Sequence, residues 1–258
     1  MMDGKNALIM GIANQRSIAW AVAKKLYDQG ANLVLTYQSD RFKGNLDRLV
    51  STLEPREGQS VYLATCDVTK QKDLENLRNL IEEKCSSLDA LFHSIAYAPQ
   101  EALTGRYLDT TWEAFQMTLQ ISCYSFVALV KALEDHLREG CSIATMTYLG
   151  SVRAVPGYNV MGVAKAALEA SVRYLAYELG EKGIRVNGVS AGPVRTLAAA
   201  GIPGFSKMLE NYKSKNMAKK ALLSDDVAEV AAFILGPASR AITGEIVYVD
   251  YGYHSMGL

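Results

Sequence analysis

The sequence predicts a single α/β domain, a doubly wound parallel sheet of about seven strands with helices on both faces. Three observations carry that prediction. Short apolar runs alternate with longer amphipathic ones along the whole chain. The short runs are near-continuously apolar, the pattern of strands covered on both faces. A chain of 258 residues, 49 % of them apolar, can fill one such core.

The elements follow in order. Strands are expected at Asn6–Met10, Asn32–Tyr37, Ser60–Ala64, Ala90–Ser94, Cys141–Tyr148, Arg185–Ser190 and Glu245–Val249. Between them lie helical patterns at Ile18–Gln29, Lys43–Thr52, Gln71–Lys84, Thr111–His136, Tyr158–Lys182 and Asp225–Leu235. A strand–helix repeat with right-handed crossovers winds helices onto both faces of a parallel sheet. One region breaks the rhythm. Between Ser190 and Glu245 the chain shows no strand, only the small-residue run Leu197–Gly201 and a Lys-rich helical piece at Phe205–Lys220. Residues 1–258 therefore read as one domain with an insertion around 195–222, where such a fold builds a cover over its ligand.

Composition excludes several classes. The formal net charge is zero, so the basic excess of a nucleic-acid binder is missing. No run of 18 apolar residues occurs, so no membrane span is expected. The first apolar run is strand-sized and leads into a glycine turn, which is not how a signal peptide reads. Cys66, Cys85, Cys123 and Cys141 form no CxxC pair and no metal-ligand spacing with the histidines. Reduced thiols in a cytoplasmic protein without a metal are the expectation.

Gly11 directly follows the first strand, and the turn Gly11–Ala19 opens a helix. A diphosphate needs close backbone approach and helix-start N–H groups aimed at it. Gly11 and Ala13 allow that approach, and Ser17 is placed to cap the helix and reach a phosphate oxygen. The turn lacks the full G-x-G-x-x-G pattern, and an ordinary strand–turn–helix connection fits it as well. At the end of the second strand, neutral Gln38 can bond a ribose hydroxyl, which favours NADH over NADPH. Arg41 and Lys43 nearby would instead suit a 2′-phosphate. Asp67, after the third strand, fits either an adenine edge or a helix start. Ser94, Ile95 and Ala96 close the fourth strand with small groups that let backbone pass near a ribose. His93 beside them reads as a satisfied core histidine.

Pro156-Gly157 marks a turn, and Tyr158 starts a helix. Seven residues span about two turns, near 700°, so Tyr158 and Lys165 share a face. The short-chain dehydrogenases and reductases usually pair Tyr with a Lys four residues later. Here that position holds Met161, and the pair is Y-x6-K, with Tyr148 ten residues ahead of Tyr158. With this spacing, and with Thr36-Tyr37-Gln38, His93–Ala96, Tyr148-Leu149-Gly150, Tyr158–Gly162 and Ser190–Ala198, essentially the whole chain resembles the enoyl-acyl-carrier-protein reductases of bacterial fatty-acid synthesis. These have a Rossmann-type fold.

The resemblance implies roles. Tyr158 would donate to the thioester carbonyl as it becomes an enolate, with Tyr148 assisting and lining the substrate site. Lys165 would hold the nicotinamide ribose. Gly11, Ala13, Ser17, Ile18, Gln38, Asp67, Val68, Ser94, Ile95 and Ala96 would contact the cofactor, NADH. So would Ala191, Gly192, Pro193, Val194, Thr196, Leu197 and Ala198. Ala98 and Met161 would touch the acyl chain beside the two tyrosines. Ala198–Met208 would be the substrate-covering segment. Ala96 stands where many relatives have glycine, and Asp250-Tyr251-Gly252-Tyr253 replaces their common Asp-Gly-Gly-Phe. The expected partner is an acyl-carrier-protein-linked substrate, with Arg195, Lys207, Lys213, Lys215, Lys219 and Lys220 as its charged guides or as a solvated face. A homotetramer built through Thr111–His136 and Tyr158–Lys182 is also implied. Two other readings remain: a 3-oxo carbonyl reductase, against which Met161 stands, and an idle dinucleotide sensor, which would need none of Tyr148, Tyr158 and Lys165.

Overall fold

The computed structural model describes residues 2–200 and 204–257, apart from the side chains of Ala198 and Ala200. One seven-stranded sheet runs β3-β2-β1-β4-β5-β6-β7, with every neighbouring pair parallel. The strands are β1 (Asn6–Met10), β2 (Asn32–Tyr37), β3 (Val61–Thr65), β4 (Leu88–His93), β5 (Leu137–Thr147), β6 (Arg185–Ala191) and β7 (Ile246–Val249). From β1 the chain winds outward to β3, then returns to place β4 on the other side of β1. Strand order reverses there, so a crevice opens beyond the carboxyl ends of β1 and β4.

Alternate side chains of one strand feed two separate cores. In β1, Ala7 and Ile9 join Trp20, Val22 and Leu26 of helix α1 (Ile18–Asp28) on one face. Leu8 and Met10 join Leu77 and Ile81 of α3 (Gln71–Lys84) and Phe126 on the other. Because both faces are covered, the strand is apolar at every one of these positions, and period-2 alternation disappears from the sequence. Each fully buried Leu contributes about 1.5–3 kcal/mol. Helix α2 (Asp40–Val50) starts three residues earlier than its apolar pattern, because its polar first turn follows directly from Ser39.

The expected helix Thr111–His136 is not continuous. After a short α4 (Gln100–Leu103), helix α5 (Trp112–Leu119) passes into a π turn (Gln120–Tyr124), then α6 (Ser125–Leu133) and a 3-10 turn at Glu134–His136. The π turn sets Ser122 against the loop after β4, where its hydroxyl accepts from Tyr97 N and donates to Tyr97 O, both at 2.9 Å. Such bulges recur at functional sites. Helix α7 (Asn159–Gly180) carries Lys165. The insertion forms α8 (Leu197–Ala200) and α9 (Phe205–Lys215), and α10 (Ser224–Leu235) packs back on α1.

Candidate active site

The crevice at the strand-order reversal is a 500 Å³ cleft. Its wall includes Gly11, Ala13, Ser17, Ile18, Gln38, Asp67, Val68, Ser94, Ile95, Ala96, Lys165, Thr196 and Leu197. Four strand ends and the start of α1 thus bring residues from distant parts of the chain to one surface.

Gly11 explains how close that surface is. Its φ is +94°, and an added Cβ would lie 2.0 Å from the Ser94 carbonyl oxygen. Only glycine combines this left-handed conformation with this approach of the β1 and β4 ends. Ser17 departs from the expected capping role. Its oxygen makes no cap bond but accepts from Ala13 N at 3.0 Å and Asn14 N at 3.1 Å, folding the turn itself. The hydroxyl proton remains free to donate into the cleft. Asp67 faces the cleft and accepts from Thr69 N and Oγ1. Burial raises its pKa, but those bonds and nearby Lys70 bring it below the ordinary carboxylate value. Lys43 points to Asp47 at 3.0 Å, away from the phosphate role considered for it.

Ala191, Gly192 and Pro193 are buried and are not part of the cleft wall, and Val194 lines a separate 1030 Å³ cavity with Trp20, Leu209 and Tyr212. Gly192 N donates to Val249 O at 2.9 Å, so this stretch continues the sheet behind the cleft. Thr196 Oγ1 accepts from Ala199 N at 3.1 Å and caps the short α8. The Ala198 side chain, and residues 201–203 of the expected cover, lie outside the described residues.

Beside the cleft, Tyr158, Met161, Ala98 and Tyr148 meet in one apolar cluster with Leu103 and Ala164; Tyr148 also lines a neighbouring cavity with Met208, and Tyr158 another with Gly150 and Gly162. The Tyr148 and Tyr158 rings lie edge to face, centroids 4.9 Å apart. Two glycines make this seat. A Cβ on Gly150 would lie 2.4 Å from the Tyr158 ring, and one on Gly162 would lie 2.7 Å from Gly150 O. Tyr158 is the residue before α7 rather than part of its first turn, and Asn159 takes φ +40°. The simple helical phase argument therefore applies only from Asn159 onward, although Lys165 still reaches the same end of the fold. Its ammonium donates to Met146 O at 2.8 Å.

Burial dominates the electrostatics. It pushes the Tyr158 phenol well above its usual value, with Tyr148 and Glu169 adding to the effect. It pushes Tyr148 up to about 12. It brings Lys165 down to about 8, opposed by Cys123 and Glu169. Both phenols are therefore donors at neutral pH, and the lysine is still charged. His93 is fully buried between Thr145 Oγ1 at 3.1 Å and Ser125 Oγ at 2.9 Å, and burial lowers it to about 3. It is a neutral core group, as its apolar strand implies.

Sequence reading gave no role to Ser122, Ile121 or Met146. Ser122 holds the Tyr97 backbone, and its signal was a polar residue inside an apolar helical run. Ile121 and Met146 line the cleft, but as apolar residues in apolar elements they carry no signal. Met208 of α9 touches the Tyr148 hydroxyl through its sulfur at 3.7 Å, a contact between residues sixty positions apart. Tyr251, at the unusual C-terminal motif, adopts φ +50° and donates its hydroxyl to Asp226 Oδ2 at 3.1 Å.

The residues present fit a dinucleotide: a glycine cradle that a Cβ would fill, a helix start opening on the same cleft, and a neutral residue at the β2 end. Fold and cleft together define a Rossmann-type dinucleotide-binding protein, with a buried lysine in the cleft wall and two protonated tyrosines beside it. The family model described as enoyl-(acyl carrier protein) reductase matches residues 11–254, and the chain belongs to that family. It is 45 % identical over 257 residues to an NADH enoyl-[acyl-carrier-protein] reductase of Rickettsia typhi, covering 100 % of this chain and 97 % of that one. An enoyl-(acyl-carrier-protein) reductase from Anaplasma phagocytophilum, solved with NAD, superposes with a TM-score of 0.94 at 42 % identity, covering 100 % and 96 % of the two chains. The Bacillus cereus enoyl-acyl carrier protein reductase, solved with NADP+ and an indole naphthyridinone, gives 0.95 at 41 % identity, covering 100 % and 99 %.

Proposed function

We propose that this protein uses NADH to reduce the 2,3 double bond of trans-2-enoyl-acyl-carrier-protein thioesters, the final reductive step of fatty-acid elongation. The observation that carries the reading is the cluster of Tyr148, Tyr158, Ala98 and Met161, which also holds Ala164, the chain neighbour of Lys165 in the cleft wall. Gly11, Ala13, Ser17 and Ile18 take the diphosphate side of the cofactor, and Gln38, Asp67 and Val68 the adenosine side. Ser94, Ile95, Ala96, Lys165, Thr196 and Leu197 take the nicotinamide side, backed by the buried Ala191–Val194 stretch. Neutral Gln38 and the engagement of Lys43 by Asp47 both support NADH over NADPH.

The nicotinamide, when bound, supplies hydride to Cβ of the conjugated thioester. Negative charge then collects on the thioester oxygen, and the saturated product forms when Cα takes a proton from Tyr158 or from water. Tyr158, protonated and preorganised by Gly150 and Gly162, donates a hydrogen bond to that oxygen, worth about 3 kcal/mol for one donor. Tyr148 borders the same oxygen and shields it from water together with Met208. Lys165 holds the ribose hydroxyls and adds positive potential. Ala98 and Met161 give the acyl chain an apolar wall. A 3-oxo carbonyl reductase is disfavoured because apolar Met161 stands four residues before Lys165.

The same reading extends to partners and place. Arg195, Lys207, Lys213, Lys215, Lys219 and Lys220 are all exposed around α9, a basic approach for an acidic carrier protein. Trp112, Met117, Tyr124, Tyr174 and Tyr177 are exposed large side chains on α5, the π turn and α7. They support a homotetramer built through these helices, and a monomeric mass by light scattering would contradict it. No described helix is long and apolar enough to cross a membrane, and the four cysteines are unpaired, in keeping with a cytoplasmic enzyme.

The direct test is loss of NADH absorbance with a trans-2-enoyl thioester and with a 3-oxoacyl thioester. Oxidation with the first alone supports the reaction. Oxidation with the second alone assigns the carbonyl-reductase chemistry instead.

A further inference from the structure

One buried carboxylate lies outside the contacts assigned above. Glu169 is 6 % exposed and sits on α7 one turn beyond Lys165. Residues four apart on a helix lie over one another on one face. Glu169 Oε1 accepts from Thr147 Oγ1 at 2.6 Å. Thr147 follows Met146, whose carbonyl accepts from Lys165 Nζ at 2.8 Å, and precedes Tyr148. Successive turns of α7 are thus fastened to successive residues of β5, directly ahead of the tyrosine.

The groups around this pair come from every neighbouring element. His93 faces Lys165 from β4, and burial keeps it neutral. Cys123 faces it from the π turn, and burial raises its thiol. Tyr158, before α7, and Tyr248, of β7, face Glu169, and burial raises both phenols. Tyr148 follows Thr147 on β5 and is raised in the same way. All of these are uncharged at neutral pH. Glu169 is the acidic group one turn from Lys165 on the same face of α7; the ammonium itself donates to Met146 O, and the Glu169 oxygen accepts from Thr147 next to it in β5. A buried charge is retained when an acidic partner is present.

We propose that Glu169 is a positioning residue for the reaction: its carboxylate holds Lys165 as an ammonium inside the fold, while its bond to Thr147 fixes β5 ahead of Tyr148. The proposal deepens the enoyl-reductase reading and rests on it for the role of Lys165, but its test does not need an enoyl substrate. NADH affinity is measured by nicotinamide fluorescence as a function of pH for wild type, Glu169→Gln and Thr147→Val. Gln keeps an acceptor for Thr147 and removes the charge. Val removes the bond and keeps the charge.

The wild type loses NADH affinity as pH rises through the Lys165 value of about 8. Glu169→Gln loses it about one pH unit lower. Thr147→Val keeps the wild-type break but lowers kcat with an enoyl thioester. An unshifted break in Glu169→Gln overturns the proposal and leaves Glu169 a packing residue. Should that variant fail to fold, wild-type enzyme labelled at the glutamate side-chain carboxyl decides. The Glu169 resonance must inflect at the same pH as the break in NADH affinity, and a resonance flat through that pH overturns the proposal. Absence of turnover with every enoyl thioester, with these binding profiles intact, would instead defeat the reaction assigned above.

Discussion

The two halves of the sheet solve different problems with different materials. In the β1–β3 half, the cleft is shaped by backbone: Gly11 approaches the Ser94 carbonyl, and Ser17 folds the turn by accepting two main-chain N–H groups. In the β5–α7 half, side chains carry the work: Tyr148, Tyr158 and Lys165 are sequestered from water, and burial sets their protonation. Under the proposed function, cofactor binding would depend on the space a missing Cβ leaves. The chemistry depends on groups whose charge the interior controls. Substitutions at Gly11 and at Tyr158 should therefore separate, a binding defect at the first and a rate defect at the second, while Lys165 joins the two.

The largest expected effect lies on the chemical side. Tyr158→Phe removes the donor and keeps the ring between Gly150 and Tyr148, so kcat should fall by about 10²–10³. NADH affinity, measured by fluorescence, should stay within about twofold. A parallel loss of affinity would erase the distinction between the halves. Gly11→Ala should do the reverse. A Cβ 2.0 Å from a backbone oxygen forces the strand ends apart. Strain of about 2–3 kcal/mol at this wall corresponds to roughly a hundredfold weaker NADH binding by calorimetry.

A smaller effect distinguishes the halves by pH. Lys165 is lowered by burial to about 8, so it is charged below that value and loses its proton above it. NADH affinity and kcat/KM should therefore decline together as pH rises past about 8, whereas Tyr158, pushed upward, stays protonated there. A profile flat to pH 10 would remove Lys165 from cofactor binding. The smallest effect is expected at the rim. Lys43 is exposed and paired with Asp47, and solvent screens such a surface pair. Lys43→Ala should leave the NADH to NADPH ratio of kcat/KM unchanged within about twofold.

Legibility in the sequence follows the same divide. All seven strands were readable as apolar runs, with β1 and β2 at their expected bounds, but β5 begins four residues early at Leu137, where exposed Arg138, Glu139 and Gly140 hide the strand. The tyrosine–lysine set was readable because residue identity and spacing survive in one short segment. The interrupted helix was not, since the π turn arises from Ser122 engaging Tyr97, twenty-five positions away. The Ala191–Val194 stretch was legible only through its motif, because small and apolar residues at the end of a buried strand carry no pattern of their own. The Thr147–Glu169 bond likewise joins two elements that sequence order keeps apart.

The central claim is that Tyr158 serves as the protonated donor in reduction of an enoyl thioester beside a dinucleotide cleft. Loss of NADH absorbance with a trans-2-enoyl thioester, wild type against Tyr158→Phe, tests it most directly. The account predicts rapid oxidation by the wild type, none with a 3-oxoacyl thioester, and a loss of at least about a hundredfold in the variant at saturating NADH. Equal rates in the two proteins, or no oxidation at any enoyl chain length despite NADH binding, would contradict it.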